Sequence, residues 1–126
     1  MKHLLIILIS FLLLSSPVIG QETGVLYLYE SSYGILWKKF GDKETNPIYK
    51  GDVEDGRPNG FGVITFPDGR KYVGENKGGF PNGQGTMTYP DGEKCEGEWV
   101  NGGFWNGKCY DKDGTIQYNY VNGEIE

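Results

Sequence analysis

The chain has 126 residues, enough for one domain. It carries 12 Lys+Arg against 17 Asp+Glu, a formal net charge of -5, which argues against nucleic acid as a partner because phosphate binding needs a basic footprint. The same balance argues against binding anionic lipid through bulk charge, and 14% aromatic residues supply apolar area that a disordered chain with 21 glycines would lack.

The first element is not part of a fold. Lys2 and His3 precede an eleven-residue run, Leu4 to Leu14, in which only Ser10 is polar; Ser15, Ser16 and Pro17 come next, with small or short side chains at Val18 and Gly20. This is the three-part layout of a secretory signal peptide over 1–20, with cleavage expected after Gly20. The run is too short to span a bilayer comfortably. Removing 20 of 126 residues leaves roughly 106, with a charge near -6 because Lys2 goes. It also leaves no histidine, since His3 is the only one, and so removes the commonest general base and metal ligand. The expected location is secreted or cell envelope.

Residues 21–48 hold two apolar-aromatic runs, Val25–Tyr29 and Ile35–Phe40, around Glu30-Ser31-Ser32-Tyr33-Gly34. They read as a hairpin that caps the rest of the chain, with Asp42–Pro47 as a polar connector.

From Tyr49 the chain repeats. Residues 49–71 and 72–94 agree at 12 aligned positions. Tyr49, Gly51, Gly60 and Gly62 of the first unit recur as Tyr72, Gly74, Gly83 and Gly85 in the second. A degenerate unit, 95–117, and a partial one, 118–126, complete the array. The last has two candidate registers: Tyr118 continues the 23-residue spacing, whereas Val121-Asn122-Gly123 repeats Val100-Asn101-Gly102 after 21. A degenerate last unit is what a terminal cap looks like.

Each unit reads as a β-hairpin. Val63–Phe66 and Thr86–Tyr89 are short β-forming runs, each stopped by Pro-Asp-Gly, a type I turn with a bulge. Gly-Arg-Pro-Asn-Gly and Gly-Phe-Pro-Asn-Gly are expected to make the other, longer turns. Glycines within strands, such as Gly62, Gly74 and Gly85, need something packed over them; Tyr49, Tyr72, Phe66 and Tyr89 are the candidates. The fold class is all-β: an elongated, single-layer antiparallel meander held by neighbour contacts.

The pattern Tyr-x-Gly, Gly, Asn-Gly-x-Gly, Pro-Asp-Gly on a 23-residue period resembles the MORN repeat (membrane occupation and recognition nexus), well over 49–94 and in degraded form over 95–123. The resemblance implies a single-layer fold of hairpins and functions in scaffolding, dimerisation and membrane association. Two departures are cysteines: Cys95 stands where the family has Tyr, and Cys109 where it has the second Gly.

Cys95 and Cys109 are the only thiols. If 95–99 and 107–111 pair as one hairpin, they fall roughly diagonal to each other on one face, within reach of a disulfide; two free thiols are the alternative. Asp111-Lys112-Asp113-Gly114 reads as a turn rather than a calcium loop, because position 122 is Asn where a distal Glu is needed. Glu96 and Glu98 read as a solvated strand face, and Gly60-Phe61-Gly62 lacks the rest of a phosphate loop. No catalytic residue, metal site or cofactor is expected.

Phe61, Phe80, Phe104 and Trp105 lie in or beside the expected longer turns. They form either an exposed binding ridge or rings folded back over strand glycines. The functional expectation is a non-catalytic secreted binding or scaffold module contacting a protein or a second copy of itself, with the end strand as a dimer surface. The alternative is a peripheral membrane or cell-envelope module binding lipid or glycan through aromatic anchors.

Overall fold

A computed structural model describes residues 22–126; the expected signal peptide at 1–20 lies outside the described residues. The strands are β1 (Glu22–Ser31), β2 (Gly34–Lys38), β3 (Ile48–Glu54), β4 (Arg57–Thr65), β5 (Lys71–Lys77), β6 (Phe80–Thr88), β7 (Lys94–Val100), β8 (Gly103–Tyr110), β9 (Ile116–Val121) and β10 (Glu124–Ile125). They make one open antiparallel sheet in the order β10-β9-β8-β7-β6-β5-β4-β3-β1-β2. The all-β, single-layer meander is thus the fold. The capping hairpin enters it reversed: β1 is long enough to pair with β3 through Glu22–Tyr27 and with β2 through Tyr27–Ser31.

The two Pro-Asp-Gly turns are as expected, and Lys112-Asp113-Gly114 makes the same turn in the third unit. Gly69, Gly92 and Gly114 have φ of 97°, 92° and 85°, and their N–H groups donate to Phe66, Tyr89 and Asp111 carbonyls at 3.0 Å. The other turns correct the sequence reading. They are two-residue connections, Asp55-Gly56, Gly78-Gly79, Asn101-Gly102 and Asn122-Gly123, and both residues of each pair have positive φ, from 49° to 95°. That is the turn whose twist matches paired strands. Pro58-Asn59-Gly60 and Pro81-Asn82-Gly83 are therefore already inside β4 and β6. They sit opposite register shifts between Gly51 and Val53 and between Gly74 and Asn76, where a strand tolerates proline. The fourth turn falls 21 residues after the third, so Val121-Asn122-Gly123 sets the register of the last unit.

Direct cross-strand partners form a row across the sheet: Leu26, Tyr49, Ile64, Tyr72, Met87, Cys95, Cys109 and Tyr118. The next row on the same face is Gly24, Gly51, Gly62, Gly74, Gly85, Gly97 and Gly107. Tyrosines from the first row lie over glycines of the second: a Cβ at Gly62 would overlap the Tyr49 ring, and one at Gly85 the Tyr72 ring. Both tyrosines are wholly buried. Phe66 and Tyr89 do not cover glycines as expected. They start the Pro-Asp-Gly turns and pack, half-buried, against the core beside this row.

The core continues as an aromatic chain. Tyr72 meets Trp99 edge-on at 5.4 Å, Trp99 meets Phe104 at 5.0 Å, and Phe104 meets Tyr120 at 5.1 Å. At the other end Trp37 packs edge-on against Tyr49 at 6.1 Å, and its Nε1–H donates to the Gly79 carbonyl at 3.1 Å. Four strand spacings between β2 and β5 would be roughly 19 Å in a flat sheet. An indole cannot reach that far, so the sheet curls toward its aromatic face and the β1–β2 hairpin closes over it.

Candidate binding surfaces

The units are stapled to each other by the asparagines of the repeat. Asn59 Oδ1 accepts the Gly78 N–H at 3.2 Å, Asn82 Oδ1 the Asn101 N–H at 3.1 Å, and Asn106 Oδ1 the Asn122 N–H at 2.9 Å. The preceding carbonyls, Pro58, Pro81 and Trp105, accept from Gly79, Gly102 and Gly123 at 3.0, 2.9 and 2.9 Å. Three of the four two-residue turns, all but Asp55-Gly56, are thereby tied twice to the unit before them. Trp105 stands where the other units have proline.

The four aromatics of the expected ridge are not brought together as one group. Phe80 and Trp105 lie along the edge of two-residue turns, Phe80 beside Gly102 and Trp105 over Gly123; they are 38% and 39% exposed. Phe61, at 59%, is opposite Glu75 on the other face of the sheet. Phe104 points into the aromatic chain and lies over Gly107.

Cys95 and Cys109 form a disulfide. They are direct cross-strand partners with Cα atoms 4.1 Å apart, not the expected diagonal pair. The difference arises because β7 and β8 are joined by a two-residue turn and shift register between Glu98 and Trp99.

Charge chemistry on the sheet is local. Glu96 Oε2 is 3.8 Å from Lys94 Nζ, and Glu98 Oε1 accepts from Asn106 Nδ2 at 2.7 Å. Asp111 Oδ1 accepts the Asp113 and Thr115 N–H groups, both at 2.9 Å, which is turn geometry. Hydrogen bonds from the Arg70 backbone and side chain hold Asp68 below the usual carboxylate range. Burial, with the nearby Asp52 charge, pushes the Tyr49 phenol up to about 12; burial and Glu75 push Tyr72 in the same direction.

Two surfaces emerge that sequence reasoning did not single out by residue. One is the C-terminal end, where Ile116, Tyr118, Val121 and Ile125 are each about half exposed. Among the described residues β10 pairs there only with Tyr120 and Val121. The other is a groove beside β2, bordered by Leu36, Trp37 and Phe80. The first had a readable signal, an uncharged β-forming strand at the end of the array. The second had none, because it depends on how far the sheet curls.

No curated protein matches the chain. The family model for the MORN repeat matches residues 49–69, 72–94 and 95–102, the stretch that carries the β3–β4 and β5–β6 hairpins, the glycine row from Gly51 to Gly97 and the Asn59 and Asn82 staples. That match supports a repeat binding or scaffold module. Residues 49–102 of this chain are MORN repeats.

Proposed function

We propose that the chain is a secreted, non-catalytic binding module that makes protein contacts through its C-terminal end strand, a second copy being its simplest partner. What supports the reading is β9. Among the described residues its outer edge is covered only at Tyr120 and Val121, with one further bond from the Glu126 N–H to the Asn119 carbonyl at 2.8 Å. Ile116, Gln117 and Tyr118 keep an open edge. No charged side chain occurs from Thr115 to Gly123, and neither proline nor lysine blunts the strand, the usual protections against edge pairing. The neutral strip adds no charge of its own to the general repulsion between copies of a chain with net charge -5. Sedimentation velocity across a concentration series tests this. The chain should go from monomer to dimer, and Tyr118→Lys should stay monomeric at every concentration. A wild-type chain that stays monomeric at millimolar concentration defeats the self-association reading.

A second reading draws on Phe80 and Trp105, two aromatics on one edge that could anchor in a headgroup layer of a membrane or envelope. Co-sedimentation with neutral and anionic vesicles at physiological salt decides it. Binding that is lost on Phe80→Ser with Trp105→Ser favours this reading, and no binding to either vesicle removes it.

A further inference from the structure

The outer face of the sheet, opposite the buried tyrosines, separates its charges into bands. Two rows of direct cross-strand partners run along it. One row carries Lys38, Lys71 and Lys94; the other carries Lys50, Glu96 and Lys108. The remaining members of both rows are uncharged, so five lysines stand with one acid in a chain of net charge -5. Lys38, Lys50, Lys71 and Lys94 lie on β2, β3, β5 and β7, every second strand in the sheet order, and therefore recur about every 10 Å across the strands. Lys50, Lys71 and Lys108 are exposed and in no ion pair among the described residues. Acids bound the stripe on both sides. The turns on one side carry Asp68, Asp91, Asp111 and Asp113 against Arg70 and Lys112. On the other side Asp52, Glu75 and Glu98 are turned onto their own sheet: they accept from the Phe61 N–H at 3.2 Å, the Gln84 N–H at 2.6 Å and Asn106 Nδ2 at 2.7 Å.

We infer that this stripe binds a linear acidic polysaccharide, laid across the strands with one carboxylate or sulfate per disaccharide against the lysines. This rests on the reading of the chain as a binding module but places the contact on a face that reading does not use. The shape and spacing of the stripe select the occupant. Two rows are about 7 Å wide, room for one polymer chain between acidic borders. An anionic bilayer is planar: it would meet those borders together with the lysines, and would touch a face curled away from it only along the crest. A nucleic acid duplex carries a charge about every 3.4 Å along each strand, far denser than the lysines. An extended acidic peptide repeats its same-face side chains about every 7 Å. A polysaccharide acidic at alternate sugars repeats its charge close to the two-strand interval. Sugars also need hydroxyl partners and flat apolar platforms. Thr65 and Thr88, both exposed, flank Lys71 in its row, and a threonine hydroxyl both donates and accepts. Tyr110 continues the row beside Lys94, whose Nζ is 5.4 Å from the ring centroid. Export, the expectation from residues 1–20, would bring the chain to such polymers.

The test is fluorescence anisotropy of the purified chain with a labelled hyaluronan decasaccharide, which carries one carboxylate per disaccharide. Saturable binding that weakens as salt is raised is expected. It should fall at least tenfold in Lys71→Glu with Lys94→Glu, checked for the wild-type circular dichroism spectrum, because two charges of the stripe are reversed. Glu96→Gln removes the one acid of the stripe and should tighten binding, whereas Glu124→Gln, with the same net charge, should not. Tyr118→Lys should leave binding unchanged, which separates this face from the C-terminal end strand. No saturable binding would overturn the proposal. So would an equal loss in Lys43→Glu with Lys112→Glu, which lie outside the stripe, since net charge alone would then be read. Binding of oligothymidylate, poly-glutamate or anionic vesicles as tightly as the decasaccharide would overturn it too, because the spacing would then select nothing.

Discussion

The ring of Tyr49 lies across the backbone of Gly62 on the neighbouring strand, while its hydroxyl donates to the Asp52 carbonyl at 2.6 Å. Tyr72 does the same one unit later, over Gly85 and to the Glu75 carbonyl at 2.6 Å. A sheet with only one layer buries its aromatics by laying them on its own glycines. Gly62→Ala and Gly85→Ala should each cost about 1–3 kcal/mol of stability, since a methyl group there forces the ring off its seat. Gly24 belongs to the same row, but a Cβ there would meet only Val53 Cγ2 at 3.4 Å. Gly24→Ala should change stability by less than about 0.5 kcal/mol. Urea denaturation of the three variants measures the contrast.

The same tyrosines set an alkaline limit. The folded pKa of Tyr49 is raised to about 12 from 10.0. Between those values the unfolded chain has released a proton that the folded chain still holds. Stability is therefore fully present below pH 10 and falls as pH rises through that window. Absorbance titration at the tyrosinate band should show a late-titrating group that disappears in Tyr49→Phe. That variant should also lose about 1 kcal/mol near neutrality with the hydroxyl's hydrogen bond.

Bridging Cys95 to Cys109 closes a loop of about 15 residues, worth about 3 kcal/mol in the chain-entropy account. Cys95→Ser with Cys109→Ser should lower the urea midpoint correspondingly, and the intact mass of the unreduced chain should be two hydrogens below that of the reduced one. Cys95 occupies the position of Tyr49 and Tyr72, so the bridge replaces an aromatic seat in the third unit.

The asparagine staples predict a directional effect. Asn82→Ala removes the acceptor of the Asn101 N–H and should cost about 1 kcal/mol. Hydrogen exchange should rise at the Asn101-Gly102 turn, the one downstream, and not at Gly78-Gly79, which is held by Asn59.

The sequence made some of this visible and hid the rest for identifiable reasons. Pro-Asp-Gly turns are local chemistry, and they fall where the residues say. Pro58-Asn59-Gly60 has turn chemistry too and reads as a turn, yet Gly56 has already closed the hairpin and Asn59 serves the next unit. A residue acting 19 positions away leaves no local mark. Cys95 and Cys109 are visible as partners, but their alignment depends on a register shift at Trp99 that no spacing reports. Trp37 is least legible of all, because its bond to Gly79 exists only once the sheet has curled. Of the expected aromatic ridge, turn-edge positions were readable for Phe80 and Trp105. The inward turn of Phe104 comes from its pairing with Trp99 across β7 and β8.

The most direct measurement is amide hydrogen exchange by mass spectrometry, in dilute and in concentrated solution. The account predicts that exchange at Ile116–Tyr118 slows as concentration rises, while the hairpins from Tyr49 to Val100 stay as they were. Exchange at Ile116–Tyr118 that is independent of concentration, or protection that grows elsewhere instead, would contradict it.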